Sequence, residues 1–279
     1  MAGTVAYEAD GGVATLTLNR PERLNTITPE LAGDVRDGLA RAQDASEVRV
    51  VRLRGAGRVF CAGYDIDWGA RMMEQAESGR PWDPMADLRT MSRFVFDTYM
   101  ALWRSPKPVI AQVHGFCVGG GTDFALCSDL IACAEDCRIG YPPARVWGSP
   151  TTAMWTYRLG LERSKRLLLT GDALDGRTAV EWGLASLAVP AGELDDAALG
   201  LARRVALLPA NQLQMMKLLV NQTYEQMGLH VTQLIGTLLD GAARHTPEGV
   251  DFTRRAMEDV RAAVAERDGP FGDYGQERR

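Results

Sequence analysis

The triple glycine Gly119-Gly120-Gly121 constrains this chain most, because of what stands on either side of it. An apolar run from Pro108 to Val113 comes before it, and Phe124, Ala125, Leu126 and Cys127 continue after it as an apolar helical pattern. Strand, glycine turn and helix start leave backbone N–H groups unpaired and pointing outward. Glycine also lets a ligand reach the main chain with no side chain in the way. Asp123 stands just inside the helix. Taken alone, the turn reads equally as a tight connection closed by small residues. A phosphate loop fits poorly, since no Gly-Lys-Ser/Thr follows.

A second turn is built alike. Val48 to Leu53 has a strand pattern, Gly55-Ala56-Gly57 turns the chain, and Phe60-Cys61-Ala62-Gly63-Tyr64-Asp65-Ile66 follows. Gly63 frees the backbone at Tyr64, so that its N–H can face a ligand. Two such amides, from Tyr64 and Gly120, converging on one carbonyl oxygen would make an oxyanion hole. Each donor there is worth about 3–4 kcal/mol in a transition state. The pair of turns says more than either one.

The 279 residues are 46% hydrophobic, ample for a large core in one or two domains. A net charge of −5 without a long basic run weighs against nucleic-acid binding. The opening MAGTVAYEAD has no apolar signal region and the chain no long apolar run. A soluble, cytoplasmic protein away from membranes is therefore expected, or an organellar one if a leader was removed. Five irregularly spaced cysteines do not suggest a disulfide framework. His114, His230 and His245 are scattered, so no metal site is expected, and Cys133-x-x-x-Cys137 reads as free thiols. Cys61 and Cys117 read as packing residues, with no base or orienting partner evident nearby in sequence.

Residues 13–18 alternate as a half-buried strand. Thr28-Pro29 is a helix cap and first turn, and Leu31, Val35 and Leu39 predict a helix over 29–43. Further strands are expected at 48–54, 108–113 and 129–134, and helices at 91–104 and 120–127. From about 197 the pattern is helical, with a long stretch over 210–244, an amphipathic one over 248–265 and a polar tail over 266–279. Residues 68–90 look like an insertion whose Trp68, Met72, Met73, Trp82 and Met85 either line a pocket or anchor a surface loop.

FCAGYDI and VHGFCVGGGTD resemble the two signature segments of the crotonase, or enoyl-CoA hydratase/isomerase, superfamily. TLTLNRPERLNTIT (15–28), SPKPVIAQVHG and LTGDALDGRTAVEWGLASLAVP (169–190) resemble other family segments in the same order, covering about residues 10 to 271. The resemblance implies an α/β fold: a crotonase-like spiral of β-β-α units over 1–196 that carries the acyl-CoA site. A C-terminal α-helical region over 197–279 would serve trimer assembly, as a homotrimer or a dimer of trimers. The implied substrate is an acyl-CoA thioester, with coenzyme A as part of the substrate and no other cofactor. The resemblance gives the amides of Tyr64 and Gly120 the oxyanion role and Asp123 the proton transfer. It implies substrate contacts at Arg23, Leu24, Ala62, Gly63, Asp65, Ile66, Asp67, Gly119, Tyr141 and Arg145. Arg267 and Phe271 match a basic-aromatic element with which relatives touch the adenine of CoA bound to a neighbouring subunit.

The chain departs from the family at three of these places. Tyr64 stands where relatives mostly have Ala, and Asp123 where hydratases mostly have Glu. The second acid of the hydratases falls on Pro143, in Ile139-Gly140-Tyr141-Pro142-Pro143-Ala144-Arg145, and proline transfers no proton. Substitutes for it would be Tyr141, Arg145, Tyr64 or Asp67. The leading expectation is an enzyme of hydratase type. Isomerisation, thioester hydrolysis and decarboxylation use the same oxyanion pocket. A different class, acyl-CoA binding with little turnover, would show as calorimetric binding without product. RNA binding, which a few relatives have acquired, would show as strongly salt-dependent association.

Overall fold

In the computed structural model, which describes residues 3–69, 82–272 and 274, parallel pairing dominates. Strands β1 (Val5–Asp10) and β2 (Val13–Leu18) form an antiparallel hairpin. From β2 the sheet runs parallel through β3 (Val50–Gly55), β4 (Val109–Val113), β6 (Leu130–Ala134) and β9 (Leu187–Val189). A smaller sheet joins β5 (Phe116–Val118), β7 (Arg138–Gly140) and β8 (Ala173–Leu174) in the order β5-β7-β8. Every residue of β4 is buried, as befits a parallel strand covered on both faces. The polar edge strand β1 was not expected, since VAYEAD lacks a clean apolar alternation and four of its residues are exposed.

The helix Pro29–Asp44 forms as expected. The Thr28 hydroxyl accepts from Leu31 N–H, and Leu31, Val35 and Leu39 face the sheet. The helix expected over 91–104 begins earlier, at Pro84, because Asp83 caps it by accepting from Met85 and Ala86. It widens into a π turn over Val95–Tyr99 before Met100–Arg104 completes it.

The C-terminal stretches also differ in detail. Residues 210–244 split at Gly228 into Ala210–Gln226 and Leu229–Arg244. The amphipathic stretch splits into Pro247–Glu258 and Val260–Asp268 because the Asp259 carboxylate caps the second piece. The helix Leu194–Ala206 crosses residue 197 and packs on β3, β4 and β6. None of the described helices is long and apolar enough to cross a membrane.

This frame places the glycine turns. Strand β4 leads through β5 to Gly119, and the following helix, Gly120–Leu126, is buried along its whole length. Cys61 bridges Cys117, so the second turn lies along β5.

Candidate active site

Asn25 organises the first turn. It is fully buried, with a left-handed backbone at φ 53°. Its Nδ2 donates to the carbonyls of Ala56 (2.8 Å), Val59 (2.9 Å) and Phe60 (3.2 Å), and its Oδ1 accepts from Arg20 N–H at 2.9 Å. The next residues are clamped on two sides. Ala62 N–H donates to Leu24 O (3.1 Å), Ile27 N–H to Gly63 O (2.8 Å) and Asp65 N–H to Ile27 O (3.0 Å). Across from them, Cys61 N–H donates to Phe116 O (3.0 Å) and Val118 N–H to Cys61 O (3.1 Å).

Gly63 adopts φ 94°, and a methyl there would lie 3.1 Å from Val118 O and 3.6 Å from Gly120 N. The two turns therefore meet. Among the described residues, neither Tyr64 N–H nor Gly120 N–H donates to a protein acceptor. The Tyr64 ring lies across Gly120, where a methyl would come 2.6 Å from its Cε2.

Asp123 follows on the same helix and is buried. Its Oδ1 accepts from the Thr152 hydroxyl at 2.5 Å. Burial pushes its carboxyl up to about 7; the Thr152 bond opposes this, and the negative charge of Asp240 adds to it. The Thr151 hydroxyl also favours the charged form, but it falls short of a hydrogen bond. Tyr99, fully buried, donates to the Tyr64 hydroxyl at 2.9 Å. Burial first, then Asp123, pushes the Tyr64 phenol well up. Tyr141 donates to Ser149 O at 2.9 Å, and its phenol too is pushed up by burial and by Asp240.

Other expected site residues lie at the rim or in structural pairs. Asp65 accepts from Thr26 (2.9 Å), Trp68 N–H (3.3 Å) and Arg20 (3.2 Å). Burial opposes its ionisation, but these partners and Arg23 hold the carboxyl below its usual range. Exposed Asp67 pairs with Arg23. Leu24, at φ 52°, turns the chain, and Ile66 packs against the C-terminal cluster of Phe252, Ala256 and Ala263. Arg145, expected at the substrate, is buried and faces the tail. Its Nε donates to Thr170 O (3.1 Å), its Nη1 pairs with Asp268 (3.1 Å), and its guanidinium stacks on Phe271 at 3.9 Å. Arg267 places Nε and Nη2 on the same Asp268 at 2.8 and 2.7 Å.

Trp68 packs on Tyr64 and Phe94, whereas Trp82 stacks on His245 and Met85 is exposed. Met72 and Met73 lie outside the described residues. All five cysteines are buried and free, and burial pushes the Cys61 thiol up to about 12, which suits packing rather than nucleophilic work. Among the described residues, no group of three or more His, Cys, Asp or Glu is arranged to hold a metal.

Asp240, Thr152, Tyr99 and the structural role of Asn25 were not anticipated. Asp240 carries a faint signal, a single acid between Leu239 and Gly241 in an otherwise apolar helix turn.

A family model for enoyl-CoA hydratase/isomerase matches residues 8–249. The chain belongs to the enoyl-CoA hydratase/isomerase family. Like other members of the crotonase superfamily it is an acyl-CoA-processing enzyme, with the expected mixed α/β fold. An enoyl-CoA hydratase structure from Mycobacterium smegmatis is 42% identical, with a TM-score of 0.93, covering 99% of this chain and 97% of that one. The 1,2-epoxyphenylacetyl-CoA isomerase of Escherichia coli is 33% identical over 78% of this chain and 81% of its own. A putative enoyl-CoA hydratase of Thermus thermophilus is 31% identical over 89% and 95%.

Proposed function

We propose that this enzyme adds water to a 2-enoyl-CoA thioester through an enolate held by the amides of Tyr64 and Gly120. One observation carries the reading. Two backbone donors without protein acceptors sit on turns in contact, and a buried carboxyl, Asp123, lies one helical turn beyond Gly120. Negative charge that builds on the thioester oxygen is stabilised by preorganised N–H dipoles. Asp123, poised near neutrality, exchanges a proton with the acyl carbons. Tyr99 donates to the Tyr64 oxygen, which leaves the Tyr64 proton for a group in the site. Phe271, half exposed, keeps a face for the adenine of CoA, whereas Arg267 is spent on Asp268. The exposed Met215, Leu218, Leu219 and Val220 give the helix Ala210–Gln226 an apolar face suited to a cytoplasmic homotrimer.

Double-bond isomerisation is a second reading, favoured by Pro143. Its Cγ would lie 3.7 Å from a methyl on Gly119, so the expected place of the second acid holds a ring beside the glycine turn. One carboxyl suffices to move a double bond. Assay of the wild type against enoyl-CoA thioesters of varied acyl group separates the readings, with product mass reporting water gained or an isomer formed. Hydration is expected, and Asp123→Asn should slow it by about 10²–10⁴-fold. A wild type that hydrates none of them sinks the leading reading, and an unimpaired Asp123→Asn sinks the role given to Asp123.

A further inference from the structure

The fold brings another carboxylate close to Pro143. Asp240, on the helix Leu229–Arg244, is only 5% exposed. Gly148 has φ 110°, and a methyl there would lie 3.0 Å from Pro143 Cβ, 3.4 Å from the Tyr141 hydroxyl and 3.6 Å from Asp240 Oδ1. Pro143, Tyr141 and Asp240 thus converge on Gly148, close enough that only a glycine fits between them. The loop that contains Gly148 also reaches both acids. Ser149 N–H donates to Asp240 Oδ1 at 3.3 Å, and the Thr152 hydroxyl donates to Asp123 Oδ1 at 2.5 Å. Gln233 on the Asp240 helix fixes this loop by donating to Thr152 O at 3.1 Å.

The Thr151 hydroxyl of the same loop, 3% exposed, favours the charged form of Asp123.

A purely structural role accounts for Asp240 less well. Its ion pair with Arg244 (3.2 Å) spans one turn of its own helix, so among the described residues only the 3.3 Å bond from Ser149 N–H runs from Asp240 to another element, and Asp240 does not dock Arg244 against a second helix. Asp87 does that job, with both oxygens 3.0 Å from Arg244 Nη2.

We propose that Asp240 is the second proton-transfer carboxylate of this site, facing Asp123 across the substrate. The inference rests on the hydration reading above. The water oxygen forms its bond to the β carbon, and the π pair of the double bond moves onto the thioester oxygen. The proton that the water sheds passes to ionised Asp240. Protonated Asp123 then gives its proton to the α carbon as the enolate pair returns, so one water is added and the two acids exchange states. Burial raises both carboxyls, but only Asp240 has an adjacent guanidinium that favours the charged form.

The test compares Asp240→Asn, Asp240→Glu and Asp87→Asn on a thioester the wild type hydrates. Asp240→Asn should lower kcat by about 10²-fold or more, with KM within about 3-fold, and flatten the acidic limb of the pH–rate profile. Asp87→Asn unties Arg244 but keeps both acids, and should lose less than about 5-fold. A rate for Asp240→Asn within about 3-fold of wild type overturns the proposal, as does an equal loss in Asp87→Asn, which would mean helix docking. Should Asp240→Asn not fold, Asp240→Glu decides. A fall of about 10-fold at unchanged KM supports the role, and an unchanged rate overturns it. An inert wild type would instead remove the hydration reading, and this inference with it.

Discussion

The turn around Gly63 and the tail around Asp268 are both buried, yet different forces hold them. At the turn, the Asn25 amide and neighbouring N–H groups bond to main-chain carbonyls, and the surrounding Ile27, Phe60 and Cys61 are fully buried. At the tail, Asp268 is buried between the guanidinium groups of Arg145 and Arg267. Neutral hydrogen bonds each contribute about 1 kcal/mol and do not respond to salt. Buried ion pairs contribute little net, but a single lost partner strands the other charge. The two amides proposed for catalysis thus stand on a frame held chiefly by neutral main-chain bonds, with the Asp65–Arg20 pair at its flank, while the C-terminal layer depends on complete ion pairs.

Arg145→Ala should do most damage. It leaves Asp268 with Arg267 alone and removes the cation under Phe271. A loss of about 3–5 kcal/mol is expected by chemical denaturation, with faster hydrogen exchange confined to residues 259–272. A loss under about 1 kcal/mol would break the contrast. Gly120→Ala comes next and acts on the neutral side. The methyl would meet the Tyr64 ring at 2.6 Å and displace one or both donors. The rate should fall by about 10²–10³-fold, with thioester affinity nearly kept. Wild-type turnover in Gly120→Ala would separate this turn from the chemistry.

The same contrast explains what was legible in the sequence. Gly63, Gly119 and Gly120 announce backbone geometry locally, so the meeting of the two turns could be anticipated from residues 60–66 and 113–123. Thr28 and the Leu31, Val35 and Leu39 spacing marked their helix for the same reason. Charge pairs between distant segments leave no local pattern. Arg145 follows the acid-bearing motif of the family, so it was expected at the substrate, but Asp268 and Phe271 take it. Asp240 is brought to Pro143 only by the packing of Leu229–Arg244 over the loop at Gly148. The splits at Gly228 and Asp259 were missed because apolar periodicity continues across both.

Asp123 offers a pH test beside the Gly120 donor. Its folded carboxyl is pushed up to about 7, above the ordinary carboxylate value of 3.8 taken for the unfolded chain, because burial penalises the charge. The protonated form is therefore favoured on folding. That stability is fully present below about pH 4 and is lost as pH rises through 7. Asp123→Asn has no such term, so its stability relative to wild type should improve by on the order of 2–4 kcal/mol between pH 4 and 8. Parallel pH profiles for the two proteins would show that the carboxyl is solvated and unfit for the role proposed.

Asn25→Ala should have the smallest of these effects and tests the neutral side most directly. The variant strands the carbonyls of Ala56, Val59 and Phe60 and frees Arg20 N–H, while the left-handed backbone at φ 53° becomes harder to hold. Net hydrogen-bond values give a loss of about 2–3 kcal/mol. No charge takes part, so the loss measured by urea unfolding should be the same near 0.1 M and 1 M NaCl, where the screening length falls from about 10 Å to 3 Å. Turnover should fall with it, because the Gly63–Tyr64 segment loses its clamp. A salt-dependent loss at Asn25 would mean that charges such as Arg20 and Asp65, rather than the amide, keep the Tyr64 donor in place.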